Sequence, residues 1–340
     1  MPPASPAGAS LLRQRSFLLF LLSRILSQGA IQVQTVAVGW QLYELTDSAL
    51  DLGLLGLAQF LPILLLTLPA GHVADTYPRK IVVGLCRIAE GAAVLALALG
   101  SLAGWLDREH IFALVFVLGI ARAFEMPAQQ ALLPGVVPAK LFPRAVSLST
   151  TCNQLATICG PALSGALVAI GGAEAAYLPA SLALFAAGAL AFAIIVPPVI
   201  RAGTGGGLAR VFEGLTFLAS RPVLLGAISL DMVAVLLGSV VALYPIFARD
   251  VLEVGAWGLG LLRAAPAVGA MTMGLMLAVR PLGARSGRRM FAAVIVFGLA
   301  IGTFALSTSL ILSLAVLVVA GAADVVSVVM RQSLVQLGTP

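Results

Sequence analysis

The stretch GHVADTYPRK, residues 71–80, interrupts two long apolar runs with an aspartate, an arginine and a lysine. LPILLLTLPA precedes it and IVVGLCRIAE follows it. A helix needs about 20 apolar residues to cross a bilayer, and the sequence on either side supplies such a helix. The charged stretch is therefore predicted to be a cytoplasmic turn between two spanning helices.

The composition of the whole chain is that of a polytopic membrane protein. Of its 340 residues, 60% are hydrophobic and only 10% are charged, and the mean hydropathy is +1.07. Soluble domains carry roughly 25% charged residues. The net charge of +6 is spread over short loops and forms no basic face, so nucleic acid is not an expected partner.

The three cysteines are Cys86, Cys152 and Cys159, and all lie inside apolar runs without metal-like spacing. Neither a disulfide framework nor a metal site is indicated, and no cofactor is expected. An enzyme is not expected either. His72 and His110 fall in loops predicted on opposite sides of the membrane, and no nucleophile, base and orienting acid converge in the sequence.

Cutting the apolar sequence at proline, glycine and charge clusters gives ten predicted spans. They cover residues 16–45, 49–70, 81–104, 111–134, 145–170, 175–197, 223–247, 256–279, 290–308 and 310–335. The first span follows Arg13 and Arg15 and continues past Arg24, so it is interpreted as an uncleaved span and not as a signal peptide.

Basic residues are distributed unequally between the predicted loops. If the N-terminus is cytoplasmic, the opposite side holds only Arg108 and Arg249, and the cytoplasmic side holds the other loop arginines and lysines. The positive-inside rule then predicts cytoplasmic chain ends in a multi-pass protein of the cell membrane, inner or plasma.

The longest polar connection, residues 198–222, predicts a cytoplasmic linker. It divides the chain into an N-terminal six-helix bundle, residues 1–197, and an incomplete C-terminal bundle of four helices, residues 223–340. Its GTGGG lacks the Gly-Lys-Ser/Thr that a phosphate loop requires. Residues 119–138 repeat glycine and proline positions in 321–340, and 56–62 do so in 260–266, which predicts a duplicated bundle.

These residues resemble the Major Facilitator Superfamily of secondary transporters. The family's loop between spans 2 and 3 reads Gly-x-Leu-Ala-Asp-Arg-x-Gly-Arg-Lys, and the matching residues here are Gly71, Ala74, Asp75, Arg79 and Lys80. RPLGARSGRRM, residues 280–290, echoes it between spans 8 and 9. In the family this aspartate contacts the eleventh span. Here Asp75 is expected to accept hydrogen bonds from arginines or a helix N-terminus, and Gly71 to permit close helix approach.

Spans 4 and 5 carry further family elements. Span 4 contains Leu118-x-x-x-Arg122, and the GPALSG of span 5 is similar to an exporter element through Gly160, Pro161 and Gly165. AFEMPAQQALLPGVVP (123–138) and ALYPIFARDVL (242–252) resemble the enterobactin-exporter-like branch. The resemblance implies an all-α, MFS-type helical bundle with about ten of the usual twelve transmembrane helices, and hence a C-terminally truncated or naturally shortened chain.

Placing one charged side chain at the middle of a membrane costs at least about 2.5–3.5 kcal/mol, so every charged residue inside a predicted span needs a structural or functional explanation. Charged and amide side chains concentrate in spans 1, 4, 7 and 10, which the resemblance makes the walls of a central substrate cavity. The predicted cavity residues are Arg24, Gln28, Gln32, Thr35, Arg122, Glu125, Gln129, Asp231 and Asp324.

The four polar residues of span 1 recur at steps of four, four and three and form one stripe, which is interpreted as a cavity wall or as a helix-to-helix hydrogen-bonding face. Arg122 with Glu125, and Arg87 with Glu90, are three apart, so local ion pairs are the alternative to a functional role.

Asp231 and Asp324 have no opposite charge three or four residues away. With Glu125 they are the candidates for proton coupling. The alternatives are that Asp324 pairs with an arginine on another helix and that Asp231 is hydrated near the membrane boundary.

The predicted function is secondary active transport. The chain is expected to be a proton-coupled exporter of a small organic molecule, siderophore-like or drug-like, that works by alternating access. The alternative is a truncated, non-transporting remnant. The expected partners are the small-molecule substrate, protons and the lipid bilayer, and the chain is expected to be a monomer.

Overall fold

The computed structural model describes residues 11, 14–195, 225–226, 229–230, 232–233, 240–279 and 286–338. Within this part of the chain, the side chains of 139, 278, 286–288 and 331–338 are not described. The predicted linker, residues 198–222, and Asp231 lie outside the described residues.

The first four helices follow the predicted spans to within a few residues. They are α1 (Arg15–Thr46), α2 (Ala49–Thr76), α3 (Arg79–Ala103) and α4 (Arg108–Val136). Their ends carry ordinary caps: Ser48 accepts a hydrogen bond from the backbone of Asp51, Gly104 ends α3 at φ 73°, and Asp107 accepts one from the backbone of His110. The hydrogen bonds that Asp107 accepts from the backbone N–H and the imidazole of His110 hold the pKa of its carboxyl below its usual range.

Helix α5 (Phe142–Phe192) contains two of the predicted spans. Its backbone leaves helical geometry at Gly171 and Gly172, and Gly172 has φ 76°, a conformation that only glycine adopts without strain. The predicted boundary between spans 5 and 6 lies at this glycine pair and is confirmed.

The second half of the described chain begins with a short irregular segment, in which 3-10, α and π turns follow one another from Val241 to Val251. Span 7 was predicted to end at 247, and the turns continue four residues further. Three long helices follow: α6 (Gly255–Val279), α7 (Ser286–Leu306) and α8 (Leu310–Gly338). They match predicted spans 8, 9 and 10.

The polar stretch that separates the second and third spans is mostly helical. Helix α2 continues to Thr76 and α3 begins at Arg79, so the turn consists of Tyr77 and Pro78 alone. Tyr77 is extended, as expected for a residue that precedes proline. The predicted ten-residue turn is therefore wrong, because nothing before Tyr77 stops the helix, and Gly71 and Asp75 belong to the last turns of α2.

The chain packs as two compact units. Unit 1 comprises the described parts of Met1–Gly160 and Ile170–Ala202, and unit 2 comprises Pro161–Ala169 and the described part of Gly203–Pro340. In unit 1, α4 packs extensively on both α2 and α3. In unit 2, α8 packs on both α6 and α7.

Eight helices of the described chain are long and apolar enough to cross a membrane, and α5 is one of them despite its glycine break. Their outward surfaces remain apolar: Ile170 is 86% exposed and Leu306 is 87% exposed. Large apolar side chains at that exposure have no stabilising contact in water, whereas lipid tails cover them. The structure is thus that of a multi-pass membrane protein.

Glycines set the separation of helices in unit 2. A Cβ atom added to Gly321 on α8 would overlap the carbonyl oxygen of Pro266 on α6, and one added to Gly269 on α6 would overlap the carbonyl of Val318 on α8. Both obstacles are backbone atoms, which cannot rotate away. Small residues at such positions are typical of helix packing in membranes.

We expect Gly321→Ala to destabilise unit 2 by about 1–3 kcal/mol, the usual cost of overpacking a well-packed interior. Gly302→Ala on α7 is the matched control, because a Cβ there meets nothing within 4 Å. Thermal unfolding of the purified protein in detergent measures the difference. Equal melting temperatures for the two variants would contradict a packing role for Gly321.

Candidate functional site

Four charged side chains in unit 1 form two ion pairs that cross between α3 and α4. Arg87 Nε lies 2.8 Å from Glu125 Oε1, and Arg122 Nε lies 3.9 Å from Glu90 Oε1. Three of the four side chains are at most 5% exposed, and that of Arg122 is 17% exposed. Unit 1 therefore contains a buried cluster of alternating charge, called here the crossed charge cluster.

The predicted local pairs, Arg87 with Glu90 and Arg122 with Glu125, are wrong in their partners. Both helices carry the sequence Arg-x-x-Glu, as RIAE at 87–90 and as RAFE at 122–125. Successive spans run in opposite directions, so the arginine of each motif lies opposite the glutamate of the other. The duplicated motif was the signal in the sequence that indicated crossed pairing.

Helices α1 and α5 hold the crossed charge cluster from the other sides. Arg87 Nη1 donates to Ser23 Oγ, and Ser23 donates in turn to the carbonyl oxygen of Ala187 at 2.5 Å. Arg24 Nη1 donates to Ser149 Oγ at 2.9 Å. Sequence reasoning missed both serines, because a serine in an apolar run carries no signal of its own.

The two ion pairs differ in how completely they are satisfied. Glu125 accepts a hydrogen bond from Arg87, whose guanidinium also reaches Ser23. By contrast, both carboxylate oxygens of Glu90, and Nε and Nη2 of Arg122, are buried and have no hydrogen-bond partner in the described part of the chain. Glu125 is thus hydrogen-bonded to its arginine, whereas Glu90 and Arg122 attract each other without a hydrogen bond.

The polar stripe of α1 lies against α5 at two of its four positions. Arg24 bonds to Ser149, and Gln32 packs against Gly160, where an added Cβ would come within 2.5 Å of Gln32 Cβ. Thr35 donates to the carbonyl of Ile31 in its own helix at 2.7 Å, and Gln28 is half-buried. These contacts favour the hydrogen-bonding face for part of the stripe. Gln129 on α4 is half-buried as well.

The exporter-like element of α5 lies where helices approach closely. Gly160 faces α1 in unit 1. In unit 2, a Cβ on Gly165 would lie 2.6 Å from the carbonyl oxygen of Ala256 on α6, and one on Gly260 would lie 2.6 Å from that of Pro161. Gly165 and Gly260 thus form a contact between two backbones that any larger side chain would push apart.

The basic residues of the stretch between α2 and α3 bind the ends of neighbouring helices. Arg79 Nη1 donates to the carbonyl oxygen of Ala131 near the end of α4, at 2.7 Å, and Lys80 Nζ donates to that of Ile194 after α5, at 3.0 Å. Cations stabilise the negative C-terminal end of a helix dipole. Their position at the start of α3 is unfavourable for α3 itself and favourable for its two neighbours.

Two expectations for this stretch are not met. Asp75 is exposed, and no described arginine or helix N-terminus donates to it. A Cβ on Gly71 would meet nothing within 4 Å, so Gly71 does not permit close helix approach. Both residues lie on the outward face of the last turns of α2, which the family pattern alone did not indicate.

Asp324 on α8 lines a cavity in unit 2 with a volume of about 210 Å³. Its carboxylate is the one charged group among the lining residues, which are Val240, Val241, Tyr244, Pro266, Phe297, Ile301, Leu317, Ala320, Gly321 and Asp324. No described arginine forms an ion pair with Asp324, so the predicted alternative of a cross-helix pair is not found in this part of the chain.

A second polar network in unit 1 was not predicted. Gln41 donates to Ser101 at 2.8 Å, Ser101 donates to Glu174 at 3.1 Å, and the buried hydroxyl of Tyr177 donates to Gln41 at 2.8 Å. The network joins α1, α3 and the second part of α5. Spacing along one helix does not connect Gln41, Ser101 and the Glu174–Tyr177 pair, because they lie on three different helices.

Comparison with known proteins identifies the type of bundle. A family profile described as transmembrane secretion effector matches residues 6–340. The enterobactin exporter EntS of Citrobacter koseri is 29% identical over 96% of this chain and 78% of its own. The multidrug efflux pump Tap of Mycolicibacterium fortuitum is 27% identical over 65% of this chain and 56% of its own.

Solved structures show the same fold. A bacterial homolog of the human lysosomal transporter Spinster, in an inward-facing conformation, has a TM-score of 0.74 at 16% identity, covering 96% of this chain and 75% of its own. A bacterial homologue of the iron transporter ferroportin, in an inward-facing state, has a TM-score of 0.69 at 21% identity, covering 97% of this chain and 85% of its own. At these identities the likeness concerns the fold alone.

We expect Arg87→Leu to destabilise unit 1 by about 3–5 kcal/mol, because it leaves Glu125 buried without its cation. The double variant Arg87→Leu/Glu125→Leu removes both charges and should recover much of the loss. Chemical denaturation of the wild type, Arg87→Leu, Glu125→Leu and the double variant in detergent completes the double-mutant cycle. The pair Arg249 and Asp250, whose side chains are 37% and 45% exposed, is the control and should show coupling of only about 0–1 kcal/mol. Additive losses for Arg87 and Glu125 would contradict the pairing.

Proposed function

Because the chain belongs to the transmembrane secretion effector family of the Major Facilitator Superfamily, we propose that it exports a small organic molecule, siderophore-like or drug-like, by alternating access in exchange for protons. The named exporters among its relatives support the direction and the substrate type. The observation that carries the proposal is the cavity of unit 2, with one carboxylate in an otherwise uncharged wall.

The wall of this cavity suits an amphipathic ligand. Valine, phenylalanine, isoleucine and leucine side chains supply apolar contact, and Asp324 supplies a charged acceptor that fixes orientation. About 210 Å³ is less than the 300–1,000 Å³ typical of ligand sites. The cavity therefore holds one group of a substrate, with the rest of the molecule lying outside it.

A single carboxylate gives a simple basis for exchange. A proton and the donor or cationic group of a substrate compete for the same oxygens, so Asp324 holds one or the other and not both. Inward proton movement also supplies the driving energy, roughly 2.3 kcal/mol per charge for each 100 mV of membrane potential. Outward movement of substrate against its gradient then becomes favourable.

The remaining features of the proposal concern topology. The N-terminus lies in the cytoplasm, as the distribution of basic residues predicts. The protein works as a monomer within the cell membrane. The six-helix bundle of residues 1–197, the linker 198–222 and the bundle 223–340 remain predictions, as do the roles of Asp231 and of the cavity residues in spans 1 and 4.

We expect purified protein in liposomes with an acidic interior to accumulate a probe, with ethidium as the drug-like probe and enterobactin as the siderophore probe. Asp324→Asn should slow uptake about tenfold or more, as expected for losing a charge-assisted contact of roughly 1.5–3 kcal/mol. Asp107→Asn is the matched control, since Asp107 is exposed and Asn caps a helix equally well. Fluorescence quenching of ethidium and mass-spectrometric detection of enterobactin measure uptake.

Dissipating the proton gradient with a protonophore should abolish accumulation of either probe. Uptake that persists without the gradient would contradict proton exchange. If the folded protein moves neither probe in the presence of the gradient, the non-transporting alternative is favoured.

A further inference from the structure

Glu90 is fully buried, and its carboxylate has no hydrogen bond in the described part of the chain. The residue is 1% exposed, and neither of its carboxylate oxygens accepts a hydrogen bond from a described residue. Its nearest cation is Arg122, at 3.9 Å from Nε to Oε1, which is too far for a hydrogen bond. A carboxylate in such a place lacks the donors that stabilise an ionised form.

Glu125 provides an internal comparison in the same cluster. It is also buried, but it accepts a 2.8 Å hydrogen bond from Arg87 Nε. Charge-assisted contacts of that length favour the ionised carboxylate. Glu125 is one of the proton-coupling candidates predicted from the sequence, and in the structure its carboxylate is hydrogen-bonded to Arg87.

The groups around Glu90 are few and can be named from every helix that packs there. Arg122 and Glu125 face it from α4, Arg87 and Cys86 lie on its own helix, and Arg24 lies on α1 within electrostatic reach of Arg87 and Glu125. Helix α5 contributes Phe185, packed at Gly91, and brings no charge to this position.

We propose that Glu90 is a second proton-binding carboxylate, located in unit 1, that binds and releases a proton during the exchange in addition to Asp324, with Arg122 as its positioning cation, while Glu125 keeps its hydrogen bond from Arg87. The inference rests on the proposed proton exchange. Glu90 is not on one of the four cavity helices named from the sequence. The structure identifies it because its buried carboxylate is paired with Arg122 without a hydrogen bond.

The protonation step has a direct consequence for helix packing. With all groups ionised, Arg24, Arg87 and Arg122 against Glu90 and Glu125 give the cluster a net charge of three minus two, or +1. Adding a proton to a Glu90 oxygen raises this to +2 and removes the attraction that joins Arg122 to α3. Arg87 and Glu125 still hold the helices together at the neighbouring level, so protonation loosens one contact between α3 and α4 and keeps the other.

Infrared difference spectroscopy of the purified full chain tests the assignment without any substrate. Spectra recorded across a pH titration should show a protonated-carboxyl band that disappears as the pH rises. Glu90→Gln should remove the part of this band that belongs to one carboxyl group. Glu125→Gln is the matched control on the same cluster and should leave that part in place. Elution volume and melting temperature show that both variants are folded.

Arg122→Gln provides a second variant if Glu90→Gln fails to fold. Removing the positioning cation should move the titration midpoint of the band to higher pH. In the variant, protonation of Glu90 no longer costs the attraction between its carboxylate and Arg122. A purely structural role for Glu90 predicts no such movement. The proposal is overturned if the wild type shows no titrating band, if Glu90→Gln leaves it complete, or if Glu125→Gln removes it.

Transport separates this inference from the function on which it rests. In liposomes, ethidium uptake driven by the pH gradient should fall at least as far in Glu90→Gln as in Asp324→Asn. If the wild type moves neither ethidium nor enterobactin while the band still depends on Glu90, the proposed exchange fails and the protonation assignment stands. If the wild type transports and Glu90→Gln transports equally well, the role of Glu90 in the exchange is overturned and the exporter remains.

Discussion

A charge inside a membrane must find its counter-ion within the protein, and the centre of unit 1 is organised by that constraint. Each of α3 and α4 brings an arginine and a glutamate to the interface, and because the helices are antiparallel, each arginine lies opposite a glutamate. The cost of leaving any one of them alone would be several kcal/mol. The pairing therefore fixes the axial offset of the two helices, and Ser23 on α1 attaches to the cluster through Arg87.

The same constraint operates at the helix ends. In unit 1, Arg79 donates to the carbonyl oxygen of Ala131 near the end of α4, and Lys80 donates to that of Ile194 just after α5, where a cation is favourable. These residues belong to the stretch whose charges interrupt the apolar sequence. One short basic pair thus connects the start of α3 to the ends of two other helices, in addition to the topological signal that it carries.

Unit 2 is held together by close backbone approach. Gly269 and Gly321 bring α6 and α8 so near that any side chain would collide with a carbonyl group, and Gly321 also lines the cavity that contains Asp324. The tight helix contact and the binding space are therefore adjacent. A transporter needs rigid walls around a small site, and glycine contacts of this kind provide them without adding polar groups to the membrane.

The sequence by itself predicted the positions of the long apolar helices that the structure describes, the glycine break within α5 and the family, because hydrophobic length, helix-breaking residues and motif spacing are local properties. It also nominated Asp324, which lines a cavity of unit 2, and its role in transport stays a prediction. The roles proposed for Asp231 and for the α1 stripe in transport stay predictions. Only the tertiary structure decided that Arg87 pairs with Glu125, that the carboxylate of Glu90 lacks a hydrogen bond in the described part of the chain, and that Gly71 does not mediate a close helix contact. Helical periodicity states which residues share a face. What lies opposite that face depends on the offset and rotation of the neighbouring helix, which no spacing along one helix contains.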